Sequence, residues 1–117
     1  MSGDRQLGRI EVSSAAVTSI AHEAVMSCYG VVGTATRDLA TGIVSALSAE
    51  RRRGVVVSVR DGTVSIDVYV IIEYGTRISA VARSVMNVVR FRVEQALGVN
   101  VTEVNVHVEG LRVSNVD

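Results

Sequence analysis

Residues 54–75 read GVVVSVRDGTVSIDVYVIIEYG, two valine-rich runs on either side of Asp61-Gly62. An Asp-Gly pair between alternating apolar runs is a strong hairpin signal, because a two-residue type I′ turn requires positive φ at both central positions. Closure across that turn predicts Arg60 opposite Thr63, Val59 opposite Val64, Val57 opposite Ile66 and Val55 opposite Val68. The apolar residues of one face then meet only each other, so turn and pattern select the same register. The second run, residues 63–74, is longer than the first, and its far half must pair with another strand or stand as an exposed edge. On the face away from this apolar set the hairpin places Val56, Tyr69 and Ile71. An apolar patch there on a small protein predicts association, and these three residues are the candidate interface.

Upstream of the hairpin, residues 1–6 read as a disordered lead-in and residues 7–12 (LGRIEV) as a short strand. Ser13 or Ser14 offers an N-cap oxygen to a helix running to about Tyr29. Val17, Ile20, Ala21, Ala24 and Cys28 fall on one stripe of that helix, with Thr18, His22 and Glu23 away from it. Gly30 is placed to end the helix as a left-handed C′ residue, with Val31 behind it. Residues 31–37 predict a weaker strand interrupted by Gly33. Asp38 can cap a short helix over residues 39–47, and residues 48–53 (SAERRR) form the most polar stretch, a loop. Downstream, Thr76 or Gly75 is the expected cap of a second long helix over residues 77–97, stopped by Gly98. Ile78, Val81, Ala82, Val85, Val89, Val93 and Ala96 make its apolar stripe, and Arg83, Asn87, Arg90 and Glu94 the solvated one. In the final strand, residues 101–109, Thr102, Val104, Val106 and Val108 alternate with Glu103, Asn105, His107 and Glu109. This order predicts an α+β two-layer sandwich, a mostly antiparallel sheet with two long helices on one face. Residues 1–117 read as a single domain, with 1–6 and 111–117 as flexible ends.

Composition narrows the function. An apolar fraction of 48% with only 3% aromatic residues implies a core of valine, isoleucine, leucine and alanine, which suits a pleated surface. Twelve basic residues, all arginine, balance twelve acidic ones, so the broad positive field of a non-specific nucleic-acid binder is missing. The lone Cys28 excludes an internal disulfide and fits a reducing compartment. No apolar run approaches the roughly 20 residues of a membrane span, and the N-terminus lacks a signal-peptide core. A cytoplasmic protein follows, one that can still reach a membrane through a partner.

The residues that could carry chemistry are few. His22, His107 and Cys28 are far apart in sequence, and no metal or cofactor set emerges from their spacing. Cys28, on the apolar stripe, reads as a small core residue. Asp67 and Glu73 share a strand face but stand three alternations apart, which is not an acid–base pair. Phosphate loops, dinucleotide fingerprints and nucleophile elbows are absent, so an enzyme is not expected. Gly30-Val31-Val32-Gly33 has the GXXG spacing of a KH-type RNA clamp, and Arg51-Arg52-Arg53 is the one basic cluster, a candidate contact for an anionic partner. Two central valines offer a phosphate nothing, and stacking aromatics beside the arginines are lacking. A KH-like RNA-binding module is the alternative reading, and nucleic acid is the weaker expectation.

Several stretches together resemble the alkaline shock protein family, the Gls-type envelope stress response proteins. They are residues 8–13 (GRIEVS), Ile20-Ala21, residues 30–33 (GVVG), residues 53–57 (RGVVV), residues 66–75 (IDVYVIIEYG), residues 85–94 in the second helix and residues 104–110 (VNVHVEG). The resemblance spans residues 8–110. It departs in replacing lysine by arginine throughout and in lacking the long charged tail of some members. What it implies is a non-enzymatic bacterial stress protein that self-assembles. Such a protein is cytoplasmic and peripheral at the inner face of the membrane through a small membrane-anchoring protein. No catalytic motif carries over.

Overall fold

A computed structural model describes residues 12–35 and 54–113. The predicted strand over residues 7–12, the short helix over residues 39–47 and the loop bearing Arg51, Arg52 and Arg53 lie outside the described residues, apart from Val12. In chain order the elements are α1 (Ser14–Met26), β1 (Val31–Thr34), β2 (Val55–Arg60), β3 (Thr63–Glu73), α2 (Ile78–Leu97) and β4 (Asn100–Arg112). Both helices lie on one face of the open sheet and share a single core with it. This is the predicted α+β sandwich.

β3 is the axis of the sheet. β2 pairs antiparallel with its first half in the predicted register, from Arg60↔Thr63 to Val55↔Val68. Asp61 and Gly62 both take positive φ, 52° and 79°, as the tight turn requires. The far half of β3 pairs antiparallel with β1, Gly33 opposite Ile71 and Thr34 opposite Val70. The two short strands thus lie end to end along one side of the long one. Tyr69 marks their junction: its N–H donates to the Gly54 carbonyl and its own carbonyl accepts from Ala35, both at 2.9 Å. Gly54 makes that junction possible, since a Cβ there would sit 2.6 Å from the Ala35 carbonyl oxygen. β4 lies along the other side of β3, parallel to it, from Thr63↔Asn100 to Glu73↔Arg112. A helical crossover joins parallel neighbours, and α2 is that crossover.

Alternation along β3 separates two environments. Val64, Ile66, Val68, Val70 and Ile72 are buried beneath Val17, Ala21, Ala24 and Val25 of α1 and Val81, Val85, Val89 and Val93 of α2. The Ser13 hydroxyl caps α1 by accepting from the Ala16 N–H at 3.1 Å, an interaction worth about 1 kcal/mol.

Several local expectations are corrected. Thr18 is buried, not on the solvated side, because its hydroxyl donates back to the Ser14 carbonyl at 2.8 Å and so needs no water. α1 stops at Met26, where the Ser27 hydroxyl and amide take up the Glu23 and Ala24 carbonyls. Gly30 has the expected positive φ but stands past this end, in the turn into β1. Neither Gly75 nor Thr76 caps α2: the Thr76 hydroxyl donates to the Glu73 carbonyl in the preceding turn, and Arg77 occupies the cap position without a side-chain bond. Gly98 ends α2 in the left-handed region as predicted. A bulge at Thr102 shifts the start of β4, so that Val101 and not Thr102 shares the core face with Val104. β4 continues through Leu111 and Arg112, the first two residues of the predicted tail.

Candidate interaction face

The face of the sheet away from the helices is built by the other alternate set of β3: Thr63, Ser65, Asp67, Tyr69, Ile71 and Glu73. The register places Val56 beside Asp67, Arg60 beside Thr63 and Gly33 beside Ile71 on one flank. On the other flank stand Glu103 beside Ser65, Asn105 beside Asp67, His107 beside Tyr69, Gly110 beside Ile71 and Arg112 beside Glu73. The three sequence-derived interface residues therefore share this face, each half-buried, and no described element covers it.

The centre of the face holds a cluster that sequence reasoning misses. The rings of Tyr69 and His107 stack with centroids 4.5 Å apart and planes inclined by 13°. His107 Nε2 lies 3.0 Å from a carboxylate oxygen of Asp67, which anchors the imidazole over the sheet. Asp67 and His107 are 40 residues apart in the chain, and only the parallel alignment of β4 on β3 brings them together. The signal in the chain is the strand–helix–strand order, which calls for parallel neighbours.

The outer edge of β4 is covered at its start. At Val101 the N–H donates to Glu94 Oε2 at 2.9 Å, and the carbonyl accepts from Arg90 Nη1. Both backbone groups of that residue are thus taken by side chains of α2. Arg90 and Glu94, expected on the solvated stripe, are half-buried because they perform this task. Register shifts at Thr102 and near Glu109 further interrupt the edge, a recognised way of preventing strand addition.

Other places offer less. Gly30 and Val31–Thr34 are a turn and a hydrogen-bonded strand, so the GXXG stretch belongs to the sheet and is not a free clamp. A cleft of about 620 Å³ near the hairpin turn is lined by Val12, Val59, Val64, Leu97 and Val99. Another, of about 360 Å³, is lined by Tyr29, Thr76, Arg77 and Ser84, with no carboxylate or imidazole to serve as a base. Cys28 is buried, its thiol directed to the Ala24 carbonyl at 3.4 Å, and burial pushes its pKa up. Among the described residues no group of three or more His, Cys, Asp or Glu side chains could hold a metal ion, and no helix is long and apolar enough to cross a membrane.

A sequence profile for the alkaline shock protein 23 family, described as having a cell envelope-related function, matches residues 2–113. The chain belongs to this family. Within it, the chain is 38% identical to the uncharacterized protein YloU of Bacillus subtilis over 110 residues, 92% of each chain. It is 33% identical to the uncharacterized protein Spy1614 of Streptococcus pyogenes, covering 91% of this chain and 89% of that one. A solved structure of MamM CTD in a copper form superposes with a TM-score of 0.52, over 84% of this chain and 98% of that one. At 13% identity that likeness is one of fold alone. The family match agrees with the resemblance carried by residues 8–110.

Proposed function

We propose that this family member is a non-catalytic, self-associating scaffold of the cell envelope. It works as a single domain from the cytoplasmic side and is held near the membrane by a small anchoring protein. The observation that carries the reading is the sheet face itself, with Val56, Tyr69 and Ile71 half-buried beside the Tyr69–His107 stack. Face and edge can be separated as routes of assembly. At the start of β4 the edge is occupied by Arg90 and Glu94, and bulges interrupt it further along, which supports the face as the surface for association. The family's cell envelope-related function supports the setting.

Sedimentation velocity across a concentration series tests the first half of this reading. Association persists at high salt, as apolar contact does, and is dispersed by Ile71→Glu and to a lesser degree by Val56→Glu. Unchanged assembly of both variants rejects the face. Affinity capture from membrane and soluble fractions, with and without nuclease, tests the second half. A nuclease-resistant membrane protein supports the scaffold, whereas recovery of nuclease-sensitive RNA alone overturns it.

A further inference from the structure

Neither a left-handed φ nor a close contact within one copy requires glycine at position 110, which directly follows the bulge at Glu109. It lies inside β4, its φ is outside the left-handed region, and a Cβ built on it meets nothing within 4 Å. A glycine in a strand interior weakens it, and marks either a bulge or a place where another backbone approaches closely; the bulge at Glu109 accounts for the kink, and the open space at Gly110 is what the face offers a second molecule. Gly110 stands directly beside Ile71, so the face carries a projecting isoleucine next to a hollow.

Self-complementarity is what this arrangement provides. A twofold axis running parallel to the strands between β3 and β4 exchanges the two strands between facing copies. It sets each Ile71 over the other copy's Gly110, and each Glu73 over the other copy's Arg112, opposite charges in register. Each Tyr69 faces the other His107, which extends the stacked pair into a four-ring cluster. Each Asp67 faces the other Asn105, whose amide can donate to the carboxylate. All four pairs are complementary under one rotation, as an isologous interface requires.

We propose that the occupant of the sheet face is a second copy of this chain, docked about that axis with Ile71 seated in the Gly110 hollow. This rests on the association reading above and specifies its geometry. Gly33, beside Ile71 on the other flank, also has open space around a built Cβ, but it lies outside the pairing and serves as the control.

The test uses the full chain, with sedimentation velocity for association and urea unfolding of dilute protein for the fold. Gly110→Val fills the hollow with a strand-favouring residue, so folding is unimpaired while self-association weakens tenfold or more. Gly33→Val leaves both unchanged. Glu73→Arg and Arg112→Glu each weaken self-association, because like charges then face each other across the axis. An equimolar mixture of these two variants restores it, because the charges are again opposite. Gly110→Val that assembles as the parent does, while Ile71→Glu disperses, overturns this geometry and leaves the face reading standing. Failure of the mixture to recover rejects this twofold axis in favour of another arrangement of copies and overturns the proposal. A parent chain that stays monomeric throughout, or an Ile71→Glu variant that assembles unchanged, removes the face reading and this proposal together.

Discussion

The two sides of β3 come from one backbone and from alternate residues, yet they are governed by different physics. On the helix side, Val64, Ile66, Val68, Val70 and Ile72 are closed off by both helices, and each substitution there is felt as lost burial or a cavity. On the other side, Asp67, Tyr69, Ile71 and Glu73 meet charged, aromatic and glycine neighbours and keep part of their surface exposed. A single strand therefore carries both the stability of the monomer and its means of meeting another molecule. Residue type alone does not tell the two apart, since isoleucine occurs on each.

The sharpest way to break this contrast is to shorten one isoleucine on each side. Ile66→Ala should cost about 2–5 kcal/mol in urea unfolding of dilute protein, the usual range for a buried aliphatic. Ile71→Ala, half-buried in the monomer, should cost only about 1 kcal/mol under the same conditions. Equal losses at the two sites mean that the second face is already closed in the monomer.

Glycines make the next comparison. Gly30 has φ +92°, and a Cβ on it would approach Val81 Cγ2 to 2.7 Å, so Gly30→Ala should destabilise by about 1–3 kcal/mol. Gly33→Ala, on the open side, should be neutral or stabilising by up to about 1 kcal/mol. Thermal melts in the opposite order would mean that the turn before β1 tolerates a side chain and the open face does not.

The edge contributes a smaller effect. Glu94→Ala leaves the Val101 N–H without its carboxylate and should cost about 1–2 kcal/mol. Hydrogen exchange at Val101 should accelerate, and edge-to-edge aggregates should appear that Ile71→Glu does not suppress. Aggregates that vanish with Ile71→Glu would show that edge and face act together.

The smallest expected effect concerns pH. Burial raises the Cys28 pKa above its ordinary value of 9.0, so the folded chain holds the thiol proton more tightly than the unfolded one. Its stabilising contribution is complete below 9.0 and declines as pH rises from there through the raised folded value. Cys28→Ala should therefore flatten the loss of stability measured as pH rises above 9.0. An unchanged alkaline limb assigns that loss to other groups.

The hairpin register, the buried centre of both helical stripes, the Ser13 cap and the Gly98 stop are legible in the chain, because each depends on residues within a few positions of one another; Ile78 and Ala96, at the two ends of the predicted α2 stripe, are exposed because the helix ends extend past the sheet-facing valines. Alternation along β3 is equally local, and together with the hairpin register it gathers Val56, Tyr69 and Ile71 on the second face. Thr18, Thr76, Arg90 and Glu94 depart from expectation for one common reason. Each is a polar side chain whose burial or role depends on the backbone group it bonds, and polarity alone suggests solvent.

Local choices are written in the chain: where β-branched runs alternate, where positive φ is needed, and where a helical stripe is apolar. Strand–helix–strand order hints at the parallel β3–β4 pair, but its register, the bulge at Thr102 that turns Val101 inward and the reach of His107 to Asp67 across 40 residues come from the packed fold. Those outcomes depend on the register between strands joined through a twenty-residue helix. No turn dictates that register; the shared core beneath the helices does, by selecting the alignment that buries Val101, Val104 and the alternate valines and isoleucines of β3 together.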